Sequence, residues 1–112
     1  MTMKEFQKFI DEQDALLRSK MHPEHTEREW VLAGTVKIAE EFGELSDEVL
    51  ASMNYQRSGK MNGRSSESLA DEFADVVITA FLLAKRMDID IMKAIARKVP
   101  LIKEKHNKQL RS

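Results

Sequence analysis

The chain has no cysteine, which removes disulfides, thiolate zinc sites and a thiol nucleophile together. A reducing compartment fits that absence, and the expected location is cytoplasmic. No stretch approaches the ~18 apolar residues of a membrane span. The first residues, Met1-Thr2-Met3-Lys4-Glu5, lead into a charged amphipathic segment without the apolar core of a signal peptide, so no membrane partner is expected. An excess of charge is missing too. Lys+Arg number 18 and Asp+Glu 19, a formal charge of −1, with none of the basic excess of a nucleic-acid polymer binder. Strand-like alternation and repeats of 20–50 residues are also lacking.

What is present is a soluble balance, 42% hydrophobic and 33% charged, over 112 residues. That length predicts one domain, residues 1–112. Such a short chain buries a modest share of its surface, so a homodimer or homotetramer is expected, covering apolar residues such as Phe81 and Leu50.

The pattern predicts an all-α bundle of four to five helices. Thr2 and Glu5 form a capping box for a first helix reaching about Lys20, with Phe6, Phe9, Ile10, Leu16 and Leu17 at helical spacing. Pro23 then breaks the pattern. Thr26 and Glu29 form a second capping box, opening the longest element, to about Met53. Its apolar stripe is Val31, Ile38, Phe42, Leu45, Val49 and Met53. Asn54 to Ser66 reads as a long loop. Ser65 or Ser66 caps a third helix to about Met87, with Leu69, Phe73, Val76, Val77, Ala80, Leu83 and Ala84 as its stripe. Asp90 caps the last helix, whose inner face is Ile91, Met92, Ile95, Val99 and Ile102. Pro100 should kink or end it.

Two acidic pairs stand out. Glu41 and Glu44 lie three residues apart on the second helix, and Glu72 and Asp75 on the third. Residues three apart are neighbours on a helix, and each pair borders an apolar stripe rather than lying opposite it. If the helices pack together, four carboxylates converge and need a counter-charge. Oxygen ligands alone suit Mg²⁺, Mn²⁺ or Ca²⁺. A di-iron bundle would want Glu-x-x-His on two helices, and these helices hold no histidine. Glu40 points farther round. E-E-x-x-E alone is more often an ordinary solvated face, and it is the second pair on another helix that argues for a site.

Lys37-Ile38-Ala39-Glu40-Glu41-Phe42-Gly43-Glu44-Leu45, followed by Glu72-Phe73-Ala74-Asp75-Val76-Val77, resembles the E-E-x-x-E…E-x-x-D signature of MazG-type nucleoside triphosphate pyrophosphohydrolases. The resemblance covers roughly Trp30 to Asp90. It implies an all-α fold and Mg²⁺-dependent hydrolysis between the α- and β-phosphates, with Mn²⁺ as a substitute. It also implies a nucleoside triphosphate substrate and a dimer or dimer of dimers with sites near the subunit interface. By matching positions, Glu41, Glu44, Glu72 and Asp75 would be metal ligands and Glu40 an auxiliary catalytic acid.

Arg86, Lys37 and Trp30 are the candidates for substrate contact. Each has a plainer reading: a helix C-terminal cation, an i,i+4 ion pair with Glu41, and packing. His22 and His25 read as turn residues. Arg57, Lys60 and Arg64 either close over a triphosphate or keep the loop soluble, and Lys98, Lys103, Lys105 and Lys108 are equally open. A non-catalytic bundle, or a regulatory module that binds nucleotide without turnover, is the alternative to an enzyme.

Overall fold

The computed structural model describes residues 1–20, 24–53 and 66–111, in four helices: α1 (Met3–Ser19), α2 (Glu27–Ser52), α3 (Ser66–Arg86) and α4 (Ile91–Arg111). No strand occurs among the described residues. The expected breaks around Pro23 and across Asn54–Ser65, with the Ser65 cap, lie outside the described residues, as does His22.

Local chemistry accounts for the helix ends. The Thr2 hydroxyl accepts from the Glu5 N–H at 3.1 Å while the Glu5 carboxylate accepts from the Thr2 N–H. Thr26 and Glu29 repeat this reciprocal arrangement at 3.1 Å in both directions, so each helix start loses orphan donors. Asp90 accepts the Lys93 N–H at 3.0 Å and caps α4. α3 stops because Asp88 takes a left-handed φ of 60°, a conformation aspartate tolerates better than most residues. Its N–H donates to the Lys85 carbonyl and that of Ile89 to the Ala84 carbonyl, closing a Schellman-type end.

α2 and α3 form the main helix pair, and α1 packs on α3. Trp30 meets Arg86, whereas Glu41 meets Glu72 and Asp75, so the two helices run antiparallel. Phe6 packs edge-to-face on Phe81 with ring centroids 4.8 Å apart. Lys85 pairs with Asp11 at 3.1 Å. Arg18 reaches Glu27 at 2.8 Å and fastens the end of α1 to the start of α2.

Three expectations need correction. Phe81 is half-buried against Phe6 rather than exposed. Pro100 does not end the last helix, which continues through it to Arg111, because the missing proline N–H removes one backbone hydrogen bond while the turns on either side keep theirs. Finally, much of the expected interior is outside. Phe42, Met53, Phe73 and Val77 are exposed, and α4 buries no residue at all. Packing has rotated α3 so that Glu72, rather than Phe73, sits at the α2 seam. The radius of gyration is 17.9 Å, against about 13 Å for a compact chain of this length.

Candidate metal centre

The antiparallel pairing of α2 and α3 brings three acids together. One carboxylate oxygen each from Glu41, Glu72 and Asp75 lies within 4.8 Å of the others. Glu41 is buried at 8% exposure, Glu72 is half-buried and Asp75 is exposed. The i,i+3 spacing of Glu72 and Asp75 places both on the same side of α3. Oε2 of Glu41 and Oε2 of Glu72 are buried without any hydrogen-bond partner. An orphaned acceptor is costly, and a second one on a neighbouring carboxylate of like charge adds to that cost.

The electrostatics register this crowding. Burial pushes the Glu72 carboxyl above its ordinary value, with Glu44, Asp75, Glu41 and Glu48 adding to the rise. Glu44 is exposed and lies outside the three-acid group, yet proximity to Glu41 is the first cause of its own raised pKa. Lys37 pairs with this group, 3.2 Å from Glu41 and 3.7 Å from Glu40. Its pKa is raised, first by the hydrogen bond to Glu41. Glu40 is exposed and meets this cluster through Lys37.

A donor set of carboxylates with two unsatisfied buried oxygens fits a hard divalent cation. Glu41, Glu72 and Asp75 could hold one.

A cavity of about 290 Å³ opens beside these acids, lined by Lys37, Glu41, Asp75 and Thr79 at one end and by Gly34 and Arg86 at the other, with Gln13, Leu17, Ile78, Leu82 and Leu83 as walls. That volume sits at the small end of the range for small-molecule sites, ~300–1,000 Å³. Arg86 therefore shares a cavity with two of the acids. It is held from behind, its guanidinium 3.5 Å from the centre of the Trp30 ring and donating to the Trp30 carbonyl at 3.0 Å. Burial lowers its pKa and Asp14 opposes that. Trp30 itself is buried beneath the guanidinium and is absent from the cavity wall.

Gly34 makes this stack possible. A Cβ there would stand 2.8 Å from Arg86 Nη1 and 3.1 Å from a Leu83 methyl. Asp14, buried on α1, completes the arrangement by pairing with Arg18 at 3.3 Å. Gln13, Asp14, Arg18, Gly34 and Glu48 were not marked as site residues from sequence. Asp14 interrupts the apolar face of α1, four residues after Ile10 and three before Leu17, and that interruption was the available signal. Gly34, inside a long helix, was another.

A model of the MazG-like family matches residues 32–110, and the chain belongs to that family. Comparison with curated proteins and with solved structures gave no match. The matched span begins after α1, so the cavity wall that α1 supplies lies outside it.

Proposed function

We propose that this member of the MazG-like family is a nucleoside triphosphate pyrophosphohydrolase. It would take a (deoxy)nucleoside triphosphate to the monophosphate and pyrophosphate, limiting noncanonical or excess nucleotides. The observation that carries this reading is the three-acid group with two unpaired buried oxygens, opening on a cavity that also presents Lys37 and Arg86. Acids alone would repel a triphosphate, whereas acids holding a cation beside two basic side chains attract one.

Glu41, Glu72 and Asp75 would hold Mg²⁺, or Mn²⁺ in its place, with Glu44 as a fourth carboxylate beside Glu41. When bound, such a cation neutralises phosphate charge and lowers the pKa of coordinated water. Lys37 and Arg86 draw the phosphates into register. Stacking on Trp30 presets the Arg86 fork, so little side-chain freedom is lost on binding. The apolar walls take the nucleoside, and the Gln13 amide offers both a donor and an acceptor to a base edge. Glu40 is the outer acid that accepts the proton of the attacking water, kept near the cluster by the Lys37 it shares with Glu41.

The test is a panel of nucleoside triphosphates incubated with Mg²⁺ and resolved for products. Monophosphate with pyrophosphate is the expected outcome. Glu41→Gln and Asp75→Asn should each lower kcat by about 100- to 1,000-fold, on the scale of a lost electrostatic contact in a transition state, while circular dichroism shows helicity intact. Release of orthophosphate would mean that a different bond is cut. Full activity in both variants would remove the site assignment. A nucleotide that raises Tm without being hydrolysed would favour the regulatory binding module.

A further inference from the structure

Asp14 is a buried acid with no part in the proposed hydrolysis. It sits on the inward face of α1 with Ile10, at 6% exposure. Its Oδ2 accepts from Arg18 Nε at 3.3 Å, while its Oδ1 is buried without a hydrogen-bond partner. Arg18 is a shallow partner for so deep an acid. The Arg18 side chain is 37% exposed against 8% for that of Asp14, and its Nη1 is drawn to exposed Glu27 at 2.8 Å. A buried carboxylate answered only near the surface keeps much of its desolvation cost, so a second cation is called for.

That cation is Arg86. Its guanidinium lies 3.5 Å from the centre of the Trp30 ring, and the guanidinium of Arg18 lies 5.6 Å from the same centre. Two like charges therefore share one indole, and Asp14 is bonded to one of them. The Arg86 head is tied down by a carbonyl, that of Trp30 at 3.0 Å, and its Nε is buried without a partner. An uncharged acceptor fixes the direction of the fork but does not offset its charge. Burial lowers the Arg86 pKa most; Asp14 opposes that fall and Arg18 adds to it. Both charges are thus within electrostatic reach of Arg86, with opposite signs.

We propose that Asp14 is a positioning residue. Its charge offsets the repulsion between Arg18 and Arg86 and keeps the Arg86 fork on Trp30, at the cavity wall, ready for the phosphate end of the substrate. This rests on the phosphate role given to Arg86 above. Two guanidinium groups and one carboxylate leave a net of +1 beside the indole; without the carboxylate it is +2, and the stack comes apart. Asp14, Arg18 and Trp30 all precede residue 32, where the family match begins. The groups that set Arg86 therefore come from outside the matched span.

Trp30 is the only tryptophan in the chain, so its fluorescence reports on this stack without any turnover. The probe is inorganic tripolyphosphate with Mg²⁺, titrated against that signal. Asp14→Asn keeps the shape and removes the charge. It should move Trp30 emission to longer wavelength in the free protein, as water replaces Arg86 on the ring. It should also weaken tripolyphosphate binding about tenfold, the loss of one hydrogen bond to a charged group. Arg86→Ala should do the same, and adding Asp14→Asn to it should cost less than about twofold more, since the acid acts through that arginine. Arg18→Gln removes the competing cation and should bind no more weakly than the wild type. That variant keeps the test open should Asp14→Asn fail to fold, which circular dichroism decides. Unchanged emission and affinity in Asp14→Asn would overturn the proposal. So would an equal loss with Arg86 present or absent, or a loss of about tenfold in Arg18→Gln. A wild type that binds no tripolyphosphate would overturn it together with the phosphate role of Arg86. Binding without hydrolysis of any nucleotide would end the hydrolysis reading alone.

Discussion

Glu72 carries a testable pH signature. Its folded-state pKa is raised, chiefly by burial, so the folded protein holds this proton more tightly than the unfolded chain does. Stability from this group is therefore fully present below the ordinary glutamate value and lost as pH climbs from there through the raised one. Without divalent cation, Glu72→Gln should unfold at a higher temperature than the wild type at pH 8, and the difference should shrink as pH falls toward the ordinary glutamate range. Mg²⁺ should stabilise the wild type at pH 8 and stabilise the variant much less. A variant that gained as much from Mg²⁺ as the wild type would remove Glu72 from the ligand set. Gly34 offers a second test. Gly34→Ala gains up to ~1 kcal/mol of helix propensity, but the added methyl collides with Arg86 and Leu83, and such overpacking costs ~1–3 kcal/mol. Urea unfolding should show a net loss of about 1 kcal/mol. In an Arg86→Ala background the loss should shrink or reverse, a coupling that only neighbours show.

At the scale of the helices, the ends were legible because their chemistry is local. Each capping box needs two residues three apart, and both were found where the spacing put them. Thr26→Ala should cost about 1 kcal/mol, read by denaturant unfolding. Of the two outcomes expected at Pro100, a kink or an end, the end does not occur, because a sequence shows the missing donor but not whether the flanking turns suffice without it. Since α4 runs through the proline, Pro100→Ala should restore a backbone bond and relieve a clash worth up to ~3 kcal/mol. Hydrogen exchange should then slow in the turns around residue 100 and scarcely change in α1. The apolar stripes were only half legible. Periodicity identified Phe42, Phe73, Val77 and the α4 residues as apolar-face positions, yet pattern alone does not say whose surface covers them.

For the molecule as a whole, the acidic group was readable because paired i,i+3 carboxylates on two helices fix their own geometry once the helices pack. Glu41, Glu72 and Asp75 came together in that way, while exposed Glu44 stayed at the margin. The other half of the cavity was not readable. Gln13 and Leu17 come from α1, and the Trp30–Arg86 stack joins residues 56 apart in the chain. The overall charge of −1 also hid its distribution. With +6 on α4 and −7 on the remainder, and no fully buried residue on α4, a single chain is a strong electric dipole. Near neutral pH it should be retained on both cation- and anion-exchange resins at low salt, each end finding its own matrix, although its isoelectric point of about 6.3 predicts weak binding to either.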